Sequence, residues 1–448
     1  MSNCKLVVLD DDPTGIQTVH GCLLITQWDE ESVRQAFLDE QPFFYILTNT
    51  RAMTREEAAR VTQEAMEMVV KVNCDLAREQ GVPAAGTGSP ALQGAYRLIV
   101  VSRSDSCLRG HFPLETDVIR ECLVRHGIPV AEKTPFCPAF IEAGRVTIDG
   151  VHYMRDADRL IPVSETEFAR DNVFAYHTSV LSEYIREKGA NPDDYVIVNA
   201  QSYDELYRFA QTILGGGTAE HTSSPQTVHG CSTAEAAVVI RSSSSLPKAI
   251  AGIPDIPLLD KSALLTPASS HQPPLFIVGS HVKKTTAQLE HLLQEEGTCA
   301  VEVDVQCILD DADALMLETL DVIRQIADQH LTPVVYTSRQ EIRLADADQR
   351  QHLGQQVSDF LVDIVRRMPY MPSYLVGKGG ITSHDILTKG LAVRSARVLG
   401  QVIPSVPCVN VQWSMVNGQC SSLPYIIFPG NVGTEDSLAE VFRKLRNP

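Results

Sequence analysis

Short apolar runs alternate with longer segments of helical periodicity along most of the chain. The strands predicted in the first half are residues 6–9, 43–47, 98–101 and 195–198. The helices predicted there are residues 54–72, residues 114–126 and one from about residue 203. Strands that alternate with helices in this way are typical of parallel α/β layers.

A second α/β pattern opens after a stretch rich in proline and serine. The elements predicted in it are strands at residues 275–278 and 333–336 and helices at residues 285–296 and 386–399. We therefore predict a first domain over residues 1–257, a linker over 258–273 and a second domain over 274–448. The fold class expected is α/β, with two Rossmann-like domains.

Two segments interrupt the first domain's periodicity. Residues 81–94 are rich in Ala, Gly, Pro and Ser, and residues 215–225 are rich in Gly, Thr and Ser. Such compositions favour exposed loops over regular elements.

The first predicted strand ends in three consecutive aspartates, Asp10, Asp11 and Asp12, followed by Pro13. Crowded carboxylates repel one another unless cations neutralise them or hydroxyl groups donate hydrogen bonds to them. In open α/β sheets, ligands bind at the carboxyl ends of the strands, where these aspartates would lie. The alternative is a helix start, with Asp12 as N-cap and Pro13 at the first helical position. Capping needs one aspartate, so the triplet favours a site.

Two further strand ends in the first half have the same polar character. Residues 48–51 and 102–110 supply hydroxyls, an aspartate and three arginines. Arginine binds a carboxylate through two parallel hydrogen bonds, and aspartates accept hydrogen bonds from sugar hydroxyls. The three strand ends together predict a site for a small polyhydroxylated anion. Cys107 lies within the last segment, but no histidine points to it as a nucleophile, and we interpret it as a packed residue.

The second half contains glycine turns after predicted strands. Gly377 to Ser383 forms one such turn, Gly430 to Gly433 a second, and Gly279 with Ser280 a weaker third. Glycines let backbone N–H groups approach phosphate oxygens, and Thr382 or Ser383 could cap the helix that follows. The spacing of a Walker A loop is absent. A phosphate or nucleotide site is the functional interpretation, and ordinary tight turns are the alternative.

Composition and charge narrow the classes of partner. The chain has 448 residues and a net charge of −18, so its surface would repel nucleic acid and anionic membranes. Its 11 cysteines form no C-x-x-C pair, which favours reduced thiols over disulfides or zinc sites. No apolar run reaches membrane-spanning length, and no signal peptide precedes the first strand. We expect a cytoplasmic protein that binds neither nucleic acid nor membranes.

The first strand end also satisfies the D-x-D-x-T motif of haloacid-dehalogenase-like phosphatases. In that alternative, Asp10 is the nucleophile and Asp12 the acid/base of a Mg²⁺-dependent sugar phosphatase. It also requires a later lysine and a distal acidic pair. Lys378 could supply the first, but only Glu435 and Asp436 are available for the second. A non-catalytic solute-binding protein is a further alternative, which gives no reason for the glycine turns.

These segments, in this order, resemble the four-carbon acid sugar kinase family over nearly the whole chain. The segments that carry the resemblance are residues 11–15 (D-D-x-T-G), 48–51 with 56–58, 103–110 (K-x-D-S-T-L-R-G), 138–140 with 144–145 (P-A-F…G-R), 279–280 (G-S), 379–382 (G-G-E-T) and 430–433 (G-N-F-G). The resemblance implies an ATP-dependent kinase that phosphorylates a terminal hydroxyl of a tetronate, 3-oxo-tetronate or branched analogue. It also implies that the active site lies in the cleft between the two Rossmann-like α/β domains.

The resemblance also implies roles for individual residues. Asp12 would orient or deprotonate the attacking hydroxyl, although the sequence does not separate its role from that of Asp11. The substrate-binding residues implied are Asp11, Arg51, Arg103, Ser104, Asp105 and Ser106, with the two arginines on the substrate carboxylate and Asp11, Asp105 and Ser106 on its hydroxyls. The nucleotide-binding residues implied are Ser280, Gly379, Gly380, Ile381, Thr382 and Gly430. ATP and Mg²⁺ are the ligands expected, with no protein ligand of the metal identified, and a homo-oligomer is possible.

The chain departs from the family pattern at a few positions. Arg103 stands in place of a lysine, Cys107 in place of a threonine and His111 in place of an asparagine. Ile381 occupies a position where the family favours an acidic residue, and His281 with Val282 replaces a hydroxyl-bearing pair. These departures affect the identity of the acid and the contacts to the nucleotide more than the fold or the class of reaction.

Overall fold

A computed structural model describes residues 4–81, 94–157, 159–215, 236–265, 271–339, 347–414, 420–430 and 432–446. The chain divides into two compact units, Met1–Asp255 and Ile256–Pro448. Nearly all of the two predicted loops at 81–94 and 215–225 lies outside the described residues. The predicted boundaries of the domains and of the linker stay predictions. Within the second unit, Leu259 donates its N–H to the carbonyl of Gln401.

The first unit contains a main sheet and a small one. Its strands are β1 (Cys4–Asp10), β2 (Leu23–Ile25), β3 (Phe43–Leu47), β4 (Arg97–Arg103), β5 (Thr134–Cys137), β6 (Arg145–Ile148), β7 (Val151–Asp156), β8 (Arg159–Pro162), β9 (Tyr195–Ile197) and β10 (Val238–Ser242). The main sheet has the order β2-β3-β1-β4-β10-β5-β9, and every neighbouring pair in it is parallel. Strands β6, β7 and β8 form the small antiparallel sheet.

The helices of the first unit follow its strands in the predicted alternation. They are α1 (Glu30–Leu38), α2 (Arg55–Glu79), α3 (Leu114–Arg125), α4 (Leu181–Glu187), α5 (Tyr203–Leu214) and α6 (Ser245–Ala251). Helix α2 begins with a capping box, in which Thr54 and Glu57 satisfy each other's backbone N–H groups. Apolar residues of α1, α2 and α3 pack with those of β1, β3 and β4 in one core, which includes Val7, Phe44 and Val100.

The second unit contains one mixed sheet. Its strands are β11 (Leu275–Val278), β12 (Thr298–Val303), β13 (Thr332–Thr337), β14 (Leu375–Lys378), β15 (Ser395–Ile403), β16 (Val406–Ser414) and β17 (Cys420–Phe428). The order is β12-β13-β11-β14-β17-β16-β15, parallel from β12 to β17 and antiparallel from β17 to β15. Its helices are α7 (Lys261–Leu264), α8 (Lys283–Leu292), α9 (Val305–Asp328), α10 (Ala347–Arg366), α11 (Gly380–Asp385) and α12 (Ser437–Leu445). Both main sheets thus agree with the α/β class expected.

The helix predicted over residues 386–399 is wrong in its second half. A π-helical turn covers Ile386–Gly390, and Ala392 then adopts a positive φ of 48°. Beyond it lies β15, where buried and partly exposed residues alternate and pair with β16. Small and apolar residues at alternate positions fit this strand, and pairing with a partner later in the chain overrides the local helical pattern.

Two findings bear on the expectations about membranes and disulfides. Among the described residues, no helix has the length and apolar character needed to cross a bilayer. Each cysteine whose side chain the structure describes is a free thiol, and most of these thiols are buried.

Candidate functional site

The carboxyl edge of the first unit's main sheet brings the predicted polar segments together. Asp10, the last residue of β1, lies in register with Leu47 at the end of β3 and with Arg103 at the end of β4. Arg103 is in turn in register with Ser242 at the end of β10. Because these strands are parallel, the residues that follow them meet at one edge, which is where open α/β sheets bind ligands.

Asp11 is the centre of this cluster. Arg51 donates from Nε to Asp11 Oδ2 at 3.1 Å and from Nη2 to Oδ1 at 2.5 Å, a two-point pair. The Ser104 hydroxyl lies 2.6 Å from Asp11 Oδ2, and the Asp11 side chain is 1% exposed. Its oxygens are therefore taken up by the protein, and Asp11 fixes the position of Arg51.

Asp12 differs from Asp11 in being reachable. Its side chain is 22% exposed, Arg51 Nη1 lies 3.3 Å from Oδ2, and Oδ1 accepts the Thr14 N–H at 2.8 Å and its hydroxyl. Burial alone would raise the pKa of Asp12, but Arg51, Arg103 and Thr14 together hold it below its usual value. Asp12 is thus an accessible carboxylate at neutral pH. The helix that follows is one 3₁₀ turn, Gly15–Thr18, with Thr14 at its N-cap.

Arg103 is buried beneath the aspartates. Its Nη1 lies 3.1 Å from Asp10 Oδ1 and 3.5 Å from Asp11 Oδ1, and its Nη2 donates to Ser244 Oγ at 3.0 Å. With its side chain 5% exposed, the guanidinium supports the aspartates and does not face solvent. This position differs from the substrate contact predicted for Arg103.

Asp10 is enclosed on all sides. It is fully buried, its Oδ2 has no hydrogen-bond partner in the part of the chain described, and a Cβ on Gly15 would come within 2.1 Å of both carboxylate oxygens. Burial raises the pKa of Asp10 to about 7, against the lowering effect of Arg103. An attacking nucleophile has to be accessible, so this geometry does not suit the phosphatase alternative.

Asp105 and Ser106 lie on the loop after β4. Arg109 Nε donates to Asp105 Oδ2 at 2.8 Å and Arg109 Nη1 lies 3.5 Å from Asp171. Burial would raise the pKa of Asp105, but Arg51 and Arg109 outweigh it and lower the pKa to about 2. Ser106 accepts a hydrogen bond at its backbone carbonyl from the His152 ring, 2.8 Å away. Asp105 is therefore ionised next to Arg109, and the contact seen for Ser106 is through its backbone.

A second pair of buried charged residues, Glu115 and Arg241, was not predicted from the sequence. Arg241 Nη1 lies 2.5 Å from Glu115 Oε2, and Glu115 Oε1 accepts the Thr50 hydroxyl at 2.6 Å. Gly110 has a φ of 123°, and a Cβ there would come within 2.3 Å of Ser104 Oγ. The signal was present in the sequence: residues 238–240 are apolar and run into Arg-Ser-Ser-Ser-Ser, the same pattern as the strand ends that were recognised.

In the second unit, the predicted glycine turns border a cavity of about 440 Å³. Its lining includes the predicted residues Ser280, Gly379, Gly380, Ile381 and Thr382, together with Gly279, His281, Val282, Val305, Thr337, Ser338, Arg339, Leu353, Gly354, Val357, Ser358 and Leu361. These residues follow the carboxyl ends of β11, β13 and β14 or lie on α9, α10 and α11, which cover them. Gly430 is next to this lining: a Cβ on it would lie 3.6 Å from Ser280 Oγ. Asn431 lies outside the described residues.

The two central glycines have different surroundings. Gly379 has a φ of 119° and donates its N–H to the carbonyl of Phe428, so this N–H is used within the protein. A Cβ on Gly380 would meet no atom within 4 Å. Gly380, Ile381 and Thr382 form the first turn of α11, where backbone N–H groups have no carbonyl one turn earlier to donate to. The Ile381 side chain is 69% exposed.

Two basic residues lie near this cavity: Arg339 was given no role from the sequence, and Lys378 only the lysine role of the phosphatase alternative. Arg339, after β13, donates to the carbonyls of Ser280 at 2.7 Å, Thr337 at 3.0 Å and Val278 at 3.3 Å. Lys378 is fully buried and donates to the Pro429 carbonyl at 2.6 Å. Burial lowers the pKa of Lys378 to about 7. The apolar run at residues 333–336 followed by Ser338 and Arg339 was a detectable signal for the first of them.

The cavity lining was also tested as a site for Mg²⁺. Its described residues offer hydroxyl groups, backbone groups and the guanidinium of Arg339, and none of them is acidic. Magnesium prefers carboxylate and water oxygens. These residues therefore do not fit a magnesium site made by protein side chains.

Comparisons with known proteins bear on both units. A family model of a sugar-binding N-terminal domain matches residues 6–193, and a model of a nucleotide-binding C-terminal domain matches residues 275–438. None of the curated proteins compared with the chain matches it.

Solved structures share the fold. One, described as a putative tRNA synthase from Salmonella typhimurium LT2, has a TM-score of 0.62 at 15% identity, with 98% of this chain and 99% of that chain covered. A second is a protein from Haemophilus influenzae whose title gives a numbered family and no activity. It has a TM-score of 0.59 at 14% identity, with 98% of this chain and 100% of that chain covered. At identities of 14% and 15%, this likeness shows the α/β fold alone.

Proposed function

We propose that this chain is an ATP-dependent kinase for a small acid sugar. The premise is that it belongs to the family that joins a sugar-binding N-terminal domain to a nucleotide-binding C-terminal domain, which is the architecture of the four-carbon acid sugar kinases. The acceptor is a terminal hydroxyl of a tetronate, a 3-oxo-tetronate or a branched analogue. The observation that carries this proposal is the accessible carboxylate of Asp12 above a cluster of buried aspartates and arginines.

Asp12 acts on the acceptor hydroxyl in this proposal. Its lowered pKa makes it a hydrogen-bond acceptor rather than a strong base, which suits phosphoryl transfer, where positioning and charge stabilisation dominate. Asp11 has its oxygens occupied by Arg51 and Ser104, so it holds Arg51 in place. Exposure of the two side chains thus supports separate roles for two neighbouring aspartates.

The substrate carboxylate is assigned to the arginines that ligands can reach. Arg51 is 18% exposed and Arg109 is 23% exposed, against 5% for Arg103. We therefore move Arg103 from direct contact to the positioning of Asp10 and Asp11. The resemblance implies Asp11, Asp105 and Ser106 as partners of the sugar hydroxyls. Because the Asp11 oxygens lie on Arg51 and Ser104, the proposal keeps Asp105 and the hydroxyl of Ser106 in this role.

The nucleotide is assigned to the cavity of the second unit. The first-turn N–H groups of Gly380, Ile381 and Thr382 would meet phosphate oxygens, and Ser280 would add a hydroxyl. Mg²⁺ would be held by the phosphates and water, in keeping with the absence of acidic residues from the described lining. The cleft predicted between the domains, a cytoplasmic location and a homo-oligomer remain parts of the proposal.

A coupled assay of ADP release tests the proposed function. The purified chain is incubated with Mg-ATP and a panel of tetronates, 3-oxo-tetronates and branched acids, with the corresponding neutral polyols as controls. We expect ADP release with at least one acid and not with its neutral counterpart. If folded protein that binds ATP releases ADP only at the background rate with every acid, the proposed substrate class is wrong.

The phosphatase alternative is tested in parallel. It predicts phosphate release from sugar phosphates without a nucleotide and complete loss of this activity in Asp10→Asn. The enclosure of Asp10 by Gly15 and Arg103 counts against it.

A further inference from the structure

A second polar cluster lies between helices α2 and α3, apart from the strand ends. It consists of Glu67 on α2, Cys122 on α3 and His126, the residue that ends α3. Glu67 Oε2 lies 2.5 Å from His126 Nε2, and one ligating atom from each of the three residues falls within 4.8 Å of the other two. Residues four apart share a helix face, so the spacing of Cys122 and His126 directs both toward α2.

We propose that Glu67, Cys122 and His126 form a binding site for a divalent transition metal ion, with Zn²⁺ the best fit. Thiolate, imidazole and carboxylate together suit zinc, whereas magnesium takes oxygen ligands only. Three protein ligands leave the fourth tetrahedral position to water. This site is separate from the magnesium that accompanies the nucleotide, and it does not depend on the proposed function.

The carboxylate is already oriented for this role. Arg125 Nη1 lies 3.1 Å from Glu67 Oε1, which leaves Oε2 directed at His126. Interactions of this kind with the outer oxygen of a ligand fix its geometry and contribute to metal affinity. An ion would replace the hydrogen bond between Glu67 and His126, which requires these two side chains to separate by about 1 Å.

The cluster is accessible from one side and closed on the other. Cys122 is fully buried in the core shared by α2 and α3, while Glu67 and His126 are each about one-third exposed. A shallow surface concavity lined by Trp28, Glu67 and His126 gives an ion and its water a path to the site. On binding, the Cys122 thiol loses its proton to solvent and its sulfur bonds to the ion.

Metal binding is measured on the full chain, without a histidine tag and after chelator treatment. We expect Zn²⁺ to compete with a chromophoric chelator, and Co²⁺ to give the charge-transfer band of a thiolate ligand. Cys122→Ser and His126→Ala should each weaken Zn²⁺ binding by more than about tenfold, and Cys122→Ser should abolish the band. Zn²⁺ should also raise the melting temperature of the wild type and leave those of the variants unchanged, because only an intact site ties α2 to α3.

Two variants control for adventitious binding by surface groups. Cys307→Ser removes an exposed thiol, and His177→Ala removes a surface histidine paired with Glu187. Both should bind Zn²⁺ as the wild type does. His126→Ala changes a partly exposed residue, so it keeps the test informative if Cys122→Ser disturbs the core. Equal Zn²⁺ affinity in wild type, Cys122→Ser and His126→Ala, or a thiolate band that only Cys307→Ser removes, would overturn the proposal.

Discussion

The two candidate sites are built in opposite ways. In the first unit, charged side chains bind one another: Arg51 pairs with Asp11 and Asp12, and Arg103 with Asp10 and Asp11. In the second unit, glycine turns together with mostly apolar and hydroxyl side chains border a cavity of about 440 Å³, which has few charged groups in its lining. Both occupy the carboxyl edge of a parallel sheet, so the same location serves two kinds of recognition.

The contrast indicates what each site discriminates. Fixed charges and hydroxyls with set geometry reject ligands that leave them unpaired, which gives selectivity for one small acid. Backbone N–H groups suit phosphate oxygens, which all nucleotides share. Substitutions that alter charged or polar side chains should therefore affect the first site strongly. In the second site, adding a single Cβ to a glycine should be enough to affect binding.

Of the variants that test this comparison, Asp12→Asn should cause the largest loss of activity. The amide keeps the size of the side chain but is a poorer acceptor, so turnover should fall about a hundredfold or more, with the KM for ATP unchanged. ADP release at saturating acid sugar measures the effect. Asp149→Asn is the matched control, since Asp149 is an exposed turn residue of the same unit with a φ of 48° that asparagine tolerates. Turnover within twofold of wild type would contradict the assignment of Asp12.

Arg51→Lys should have the next largest effect. Lysine keeps the charge but cannot form the two parallel hydrogen bonds that Arg51 makes to Asp11. We expect the KM for the acid sugar to rise about tenfold and the free energy of unfolding to fall by about 2 kcal/mol. Steady-state kinetics and urea unfolding measure the two effects.

Arg159→Lys is the control for that substitution, because Arg159 is an exposed residue on β8. An unchanged KM in Arg51→Lys would show that the substrate carboxylate lies elsewhere.

Gly380→Ala tests the backbone-lined site with a single methyl group. A Cβ there meets no protein atom within 4 Å but borders the cavity, so the KM for ATP should rise about tenfold while stability changes by less than about 0.5 kcal/mol. Gly379→Ala should instead destabilise the fold by about 1 kcal/mol or more, because φ is 119° at that position. Kinetics and thermal unfolding separate the two variants. Unaltered ATP binding in Gly380→Ala would exclude this turn from the nucleotide site.

Asp10→Asn should have the smallest effect on turnover, within about threefold of wild type, because its carboxylate is enclosed. Its effect should be on the pH dependence of stability. Asp10 keeps its proton up to a pKa of about 7 when folded and releases it near 3.8 when unfolded, so folding takes up a proton between these values. The contribution of Asp10 to stability is full below pH 4 and is lost as pH rises through 7.

Urea unfolding at pH 5 and pH 8 checks this expectation. Asparagine does not titrate, so the variant should gain stability relative to wild type between the two pH values. Parallel pH profiles for the two proteins would contradict the raised pKa of Asp10.

Much of the fold followed from local patterns. Apolar runs such as residues 43–47 and 275–278 became strands, and Thr54 with Glu57 capped its helix, because these signals need no distant partner. The strand at Ser395–Ile403 was taken for helix, since its pairing with β16 is a tertiary effect. The family with its two domain types was correctly predicted from short motifs.

The clustering of the polar strand ends could be predicted from the sequence, whereas the surroundings of each side chain could not. Asp11 and Asp12 are neighbouring residues of the same type, so the sequence does not distinguish them. They differ in the structure because the Asp11 side chain is buried and the Asp12 side chain is accessible. Burial also sets Arg103 apart from Arg51. Glu115 lies within a helix in the sequence, and its pairing with Arg241 depends on which strands become neighbours.

Arg339 has a consequence for motion around the nucleotide cavity. Its guanidinium donates to the carbonyls of Val278 and Thr337, the last residues of the adjacent strands β11 and β13, and to that of Ser280, which follows β11. Displacing either strand end would break hydrogen bonds to the Arg339 side chain, so the two strand ends should shift together. A nucleotide that displaces one strand end on entering the cavity should therefore also disturb the other.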